Sequence, residues 1–364
     1  MKLTCNRARL NHGLQTIVGV VDPRHIKPIL QQIKVVATKE EIILSATDLE
    51  IGMRCVIEEA TIEEPGEIVL PGARLANIVR ELGDEVVRIA SDETNCTLQG
   101  SGSRFRIRGD RTDEFPEIPS FPEGKYIEVE ASVLREMIHK TVFAAAPEKM
   151  RYALNGVLFV SHEDKKLLEM VGTDGRRMAW VKRQANAESP VSTEVIVPTK
   201  GCLQVERMLP ESGPVKLWLG ERNFFAKTAH AELVAQLVDG QYPNYRAVVP
   251  EKLEKKANLP TAALMSAVRK AALLSDADNR TVMFEFKEGQ LVLSAAAPEA
   301  GESTVEIEAE FSDEPVCISL NPDFVIDGLK AMDEASVHLE MKDSATACVL
   351  REPDFVYLTM PITE

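Results

Sequence analysis

The 364-residue chain has a formal net charge of −15 and is 45% apolar, which makes it too long for one ordinary core and too apolar for a disordered acidic tail. No apolar run approaches the roughly 20 residues that span a bilayer, and the opening MKLTCNRARL interrupts its apolar residues with arginine, unlike a secretory leader. The six cysteines (5, 55, 96, 202, 317 and 348) show no C-x-x-C pair and no histidine cluster, so neither a zinc site nor a disulfide framework is expected, and a soluble intracellular protein is.

In chain order, segment 2–19 predicts an amphipathic helix with Leu10, Leu14, Ile17 and Val18 on one face. IILSATDL (42–49) predicts a strand running into a turn. EIVLP (67–71) predicts a strand leading into the helical pattern GARLANIVREL (72–82), and TLQGSGSRFRIR (97–108) shows short alternating strands. A proline-rich link, FPEIPSFP (115–122), follows. The order then recurs. A helix face forms from Leu134, Met137, Ile138 and Val142, LLEMVGTD (167–174) repeats the Thr-Asp strand end, and EVIVP (194–198) leads into TKGCLQVERML (199–209). VKLWLGERNFF (215–225) and the link YPNYRAVVP (242–250) complete the second pass. A third shows Leu264, Val268 and Ala271 on a helix face, then LVLSAAAP (291–298), VCISLNP (316–322) and DFVIDGLKAM (323–332). Two independent landmarks, EIVLP/EVIVP and the Thr-Asp pairs, recur at nearly the same spacing, so three units of about 120 residues are expected, each an α+β layer of two helices on antiparallel sheets.

Within VGTDGRRMAW (171–180), Asp174-Gly175 alone predicts a hairpin turn, since glycine supplies positive φ. The first pass, TDLE (47–50), lacks both the glycine and the arginines, and the third has Ala297-Pro298. One copy is therefore chemically unlike its siblings.

ATDLE (46–50), RYALNG (151–156), GTDGRR (172–177), VIVPTKG (195–201), LVDGQYPNY (237–245) and YLTMP (357–361) together give a chain that closely resembles the bacterial sliding clamps, the beta subunits of DNA polymerase III. The resemblance covers essentially the full length. It implies three tandem DNA-clamp domains, 1–120, 125–250 and 251–364, and a head-to-tail homodimeric ring of six domains threaded by duplex DNA. It implies a processivity factor with no catalytic residues, cofactor or metal of its own. Its partners would be duplex DNA, a second copy, the polymerase III catalytic subunit, the clamp loader and other clamp-motif proteins.

Clamp helices line the hole, and the six helical segments here carry a positive balance inside an acidic chain. The contributors are Lys2, Arg7 and Arg9; Arg74 and Arg80; Arg135 and Lys140; Lys200 and Arg207; Arg269 and Lys270. Only 321–332 is negative, with Lys330 against Asp323 and Asp327. Such a layer attracts phosphate without reading sequence, although a solvated helix face would show the same residues. The resemblance assigns DNA contact to Arg24, Arg80, Arg135, Lys140, Arg151, Tyr152, Lys200, Arg207, Arg269, Lys270 and Lys330.

By the same resemblance a partner-peptide groove comprises Leu154, Thr173, Gly175, Arg176, Arg177, Met178, Pro243, Val248, Ala345, Ala347, Leu358, Met360, Pro361 and Ile362. Glycine would allow close backbone approach and the methionines would offer deformable apolar surface, though methionine is equally ordinary core filling. Interface positions map to Arg74, Arg104 and Phe105 at one end and to Leu273, Leu274, Glu299 and Glu302 at the other. Two rival readings remain. An enzyme would need a nucleophile elbow, a phosphate loop or a metal-spaced cluster, none of which the sequence contains, and His162 in HEDK (162–165) reads as a solvated turn residue. An acidic scaffold that binds only proteins would explain a groove but leave the basic helices without a role.

Overall fold

A computed structural model of the chain describes residues 1–124, 126–147, 152–162, 166–187, 193–250, 253–276, 280–299 and 301–362. The helices among them are α1 (Arg7–Ile17), α2 (Gly72–Glu81), α3 (Ala131–Thr141), α4 (Thr199–Met208), the single turn α5 (Tyr245–Val248), α6 (Thr261–Ala271) and α7 (Pro322–Lys330). The apolar faces expected for them are buried: Leu10, Leu14 and Ile17 on α1, Leu134, Met137 and Ile138 on α3, and Leu264, Val268 and Ala271 on α6. Val18 and Val142 are only half-buried.

Segment 2–19 is not one helix. Lys2–Asn6 is a strand that pairs with Thr61–Glu64 and Val86–Ser91, and α1 begins only where the Asn6 side chain accepts the Arg9 N–H at 3.2 Å. Leu3 and Cys5 alternate inward with period two, a signal outweighed in the sequence by the longer helical pattern behind it. The same device opens the other repeats, where Ile127–Glu130 and Lys255–Pro260 are strands leading into α3 and α6.

The chain divides into two compact units, residues 1–135 with 185–237, and residues 136–184 with 238–364. The middle repeat is thus shared between them. In unit 1 strand Ile51–Ile57 pairs with Ala231–Gln236, inside a nine-stranded antiparallel sheet that runs from Asn186–Ala187 to Gly66–Pro71. The supposed link 115–122 is packed there, with Ile118 in a cluster with Phe225 and Val234 and with Phe115, Phe121 and Trp218 against it. A second sheet of unit 1 has Arg104–Arg108 at its edge. In unit 2 the antiparallel order is Gly156–His162, Leu167–Thr173, Arg177–Gln184, Phe355–Thr359, Cys348–Glu352, Ser336–Met341 and Lys255–Pro260. A four-stranded sheet of that unit has Gly301–Glu308 at its edge. α1 packs on α2 in unit 1 and α6 on α7 in unit 2, so helices lie against antiparallel sheets as expected.

Candidate partner groove

The Thr-Asp-Gly hairpin is built by its own side chains. Thr173 Oγ1 donates to the Arg177 carbonyl at 2.6 Å and accepts from the Gly175 N–H at 3.1 Å, while Asp174 Oδ1 accepts from the N–H groups of Arg176 (2.8 Å) and Arg177 (3.0 Å). Gly175 has φ +88°, where a side chain would be strained, although a Cβ there would meet nothing nearer than Leu154 Cδ1 at 4.0 Å. A larger residue would therefore enter the space above Leu154 rather than collide with the backbone. Three residues earlier, Gly172 lies so close beneath the carbonyl of Thr141 at the end of α3 that any Cβ would overlap it.

The register brings the C-terminal strand alongside. Met178 pairs with both Thr173 and Leu358, Arg177 with Thr359, and the Met360 N–H donates to the Arg176 carbonyl at 2.8 Å. Leu358 pairs in turn with Val349, whose strand is preceded directly by Ala347, and the Ile362 N–H donates to the Ser319 carbonyl at 2.9 Å. Leu154, Thr173, Met178, Ala347 and Leu358 are buried and form a floor. Gly175, Arg176, Pro243, Val248, Ala345 and Met360 are exposed, and Pro361 and Ile362 are half-buried. Met360, 38% exposed, is a large apolar side chain left in water next to that floor, and Val248, 46% exposed, is another at the end of α5.

Arg177 does not face solvent. Its guanidinium donates to Asp174 Oδ2 at 3.1 Å, Asp327 Oδ2 at 2.9 Å and the Phe143 carbonyl at 2.8 Å, and it lies 4.4 Å from the Phe324 ring centroid. Burial would lower its pKa, but Tyr357, Asp327 and Asp174 together push it further up, so it stays charged. This arginine locks the hairpin to α7, a role with no local signature because Asp327 is distant in sequence. The sequence also missed Glu169. Its buried carboxylate accepts from Trp180 Nε1 at 2.8 Å, Tyr245 OH at 3.0 Å and Arg246 Nη2 at 3.3 Å, and pairs with His162 Nε2 at 2.8 Å. His162 is thus a partly buried strand residue rather than a solvated turn residue, while residues 163–165 lie outside the described set.

The residues expected to contact DNA fare unevenly. Lys140 is corrected: only 2% of its side chain is exposed, and Nζ sits 2.8 Å from Glu352 and 2.7 Å from Asp333, so it bridges acids instead of reaching phosphate. Arg135 donates through Nη2 to the carbonyls of Leu209 (2.9 Å) and Pro210 (2.8 Å). Lys200 is half-exposed and paired with Asp48, and Lys330 pairs with Asp327 at 3.1 Å. Arg24, Arg80, Arg207, Arg269 and Lys270 are exposed. Arg151 and the side chain of Tyr152 lie outside the described residues. Lys2, counted with the helices, pairs instead with Glu64 at 2.6 Å on its strand.

At the proposed ends of the ring, Arg74, Arg104, Glu299 and Glu302 are exposed, Phe105 is 37% exposed, Leu273 is 79% exposed and Leu274 is half-buried. A cavity of about 1190 Å³ in unit 1, between α1 and the residues around Phe121 and His230, shares no residue with the predicted groove. Among the described residues no cluster of three or more His, Cys, Asp or Glu could hold a metal, and no helix is long and apolar enough to cross a membrane. Among the described residues none of the six cysteines forms a disulfide, and burial pushes the thiols of Cys5, Cys55, Cys96 and Cys348 up to about 12.

Family models for the N-terminal, central and C-terminal domains of the DNA polymerase III beta subunit match residues 1–119, 128–244 and 246–363. The chain belongs to the beta sliding clamp family. The beta sliding clamp of Pseudomonas putida is 32% identical over 369 residues, covering all of both chains. Among solved sliding clamps, that of Pseudomonas aeruginosa bound to griselimycin superposes with a TM-score of 0.94 at 29% identity over the whole of both chains. The beta subunit from Thermotoga maritima gives 0.93 at 27% identity, covering 100% of this chain and 99% of that one. The family's members are three-domain processivity factors rather than catalysts. Met360, an apolar side chain left in water, directly follows the strand paired with the hairpin that only the second repeat equips with glycine and arginine.

Proposed function

We propose that this chain is a replicative sliding clamp of the cytoplasm. Two copies close head to tail into a six-domain ring that encircles duplex DNA without reading its sequence and tethers the polymerase for processive synthesis. The domains run 1–120, 125–250 and 251–364. The observation that carries the reading is the pairing of the C-terminal strand with the Thr-Asp-Gly hairpin, which leaves an apolar floor with Met360 exposed at its edge. A partner peptide buries its apolar anchors on Leu154, Met178 and Leu358 while its backbone passes Gly175. Arg176 and Ala345 edge the groove, and Pro243, Pro361 and Ile362 complete it.

Ring closure uses two sheet edges of opposite charge. Arg104–Arg108 presents Arg104, Arg106 and Arg108 beside Phe105, and Gly301–Glu308 presents Glu302, Glu306 and Glu308. One copy's basic edge meeting another's acidic edge pairs both strands and buries Leu273, and because the edges are unlike the contact is head to tail and must close into a ring to avoid filaments. Arg24, Arg80, Lys200, Arg207, Arg269, Lys270 and Lys330 supply charge for sliding on phosphate. The test is topological. A ring loaded on nicked circular DNA stays bound and runs off once the circle is linearised; equal retention on both forms would overturn the reading.

A further inference from the structure

We infer that Glu169 is a positioning residue for the partner groove: its buried carboxylate sets α5, and with it Val248, against the Thr-Asp-Gly hairpin. The inference rests on reading this face of unit 2 as the peptide-binding surface. Glu169 lies in Leu167–Thr173, where Leu168, Met170 and Val171 are also buried, so an apolar residue would be the ordinary occupant. An ionised carboxylate there is costly unless donors surround it. Two of its donors, Tyr245 and Arg246, come from α5, and two, Trp180 and His162, come from the neighbouring strands of its own sheet.

α5 is a single turn whose N-cap, Asn244, makes no side-chain hydrogen bond, and an isolated turn does not sustain itself. What fixes it is attachment to the two strands that the hairpin joins. The Tyr245 ring stands edge-on to Trp180 at 5.2 Å, Tyr242 OH donates to the Val171 carbonyl at 3.0 Å, and three donors converge on Glu169 Oε2. Burial alone would raise the Glu169 pKa, yet hydrogen bonds from Tyr245, Trp180 and His162 and the charge of Arg246 hold it below the usual 4.5. The carboxylate is therefore ionised at neutral pH and keeps all four partners. Val248 is the exposed apolar residue at the far end of that turn. Its distance from the hairpin is set through Tyr245 and Arg246, so Glu169 acts on the ligand without touching it.

The test is a double-mutant cycle read with a fluorescent peptide from the polymerase C-terminus. Glu169→Ala is expected to weaken the peptide about tenfold, and Val248→Ala about fivefold in the native background but less than about twofold on top of Glu169→Ala. Hydrogen exchange over 242–249 should accelerate in Glu169→Ala while dimer mass is unchanged. Glu169→Gln keeps the side-chain volume and one acceptor oxygen. It should recover part of the affinity, and it carries the same cycle if Glu169→Ala does not fold. Additive effects of the two substitutions, or full affinity in Glu169→Ala alongside a weakened Met360→Ala control, would overturn the inference while leaving the groove in place. Full affinity in the Met360→Ala control as well would remove the groove, and the inference with it.

Discussion

In unit 1 Thr47 Oγ1 donates to the Ile51 carbonyl at 2.9 Å and accepts from the Leu49 N–H at 3.0 Å, while Asp48 Oδ1 accepts from Glu50 and Ile51. In unit 2 Thr173 and Asp174 repeat that pattern bond for bond around Gly175. The strand that follows docks alike: the Gln236 N–H donates to the Glu50 carbonyl at 2.8 Å, and the Met360 N–H to the Arg176 carbonyl at 2.8 Å. Even the backbone agrees, with φ +79° at Leu49 and +88° at Gly175. What differs is side chain alone. Leu49 stands 46% exposed where Gly175 leaves open space, and buried Ile51 occupies the place where Arg177 reaches to Asp327. A turn can be conserved as geometry while only one copy is cleared for a ligand, and the leucine accepts a strained φ that costs about 1 kcal/mol.

That comparison can be broken in unit 2. Deleting residues 360–364 removes the segment bonded to Arg176, and polymerase-peptide binding is expected to vanish in a fluorescence titration while dimer mass stays constant. Arg177→Met should cost about 3 kcal/mol in thermal or urea unfolding, because it removes the one cation that Asp174 and Asp327 share in a partly buried site, leaving Asp327 only Lys330. Ile51 needs no such partners, and substituting it with Val should cost only about 1 kcal/mol. Met360→Ala keeps the backbone bond and truncates one exposed anchor; a loss of about 2 kcal/mol in peptide affinity, more than tenfold, is expected. Gly175→Leu imports the unit 1 residue. Since Leu49 holds the same φ, the variant should fold with a stability loss of about 1 kcal/mol yet bind peptide markedly more weakly. Unchanged affinity there would mean that the open space beside Leu154 plays no part in binding.

Local order was legible in the sequence. Helix faces such as Leu134, Met137 and Ile138, the hairpins at 97–108 and 215–225, and the Thr-Asp turns follow from periodicity and turn chemistry within a dozen residues. What escaped depended on pairs far apart in the chain. Lys140 looks like any surface lysine on a helix until Asp333 and Glu352 arrive beside it. Arg177 looks like a free cation until Asp327 does. Glu169 looks like a solvated strand position until α5 covers it. For the proposed groove, the family resemblance named candidate residues, but ion pairs such as Arg177 with Asp327 were not legible, since they join distant segments with no shared period.

The sharing of the middle repeat has a genetic corollary. Ile51–Ile57 completes its sheet with Ala231–Gln236, and Arg177–Gln184 completes its own with Phe355–Thr359. The segment that duplication would have copied is therefore offset from the segment that folds. A graft or truncation cut at the proline-rich links would sever both pairings and expose a long unpaired strand on each side, an invitation to edge-to-edge association. Recombination that preserves the protein must instead exchange pieces that carry a strand and its cross-repeat neighbour together, so the inherited module and the cooperative module of this chain have different ends.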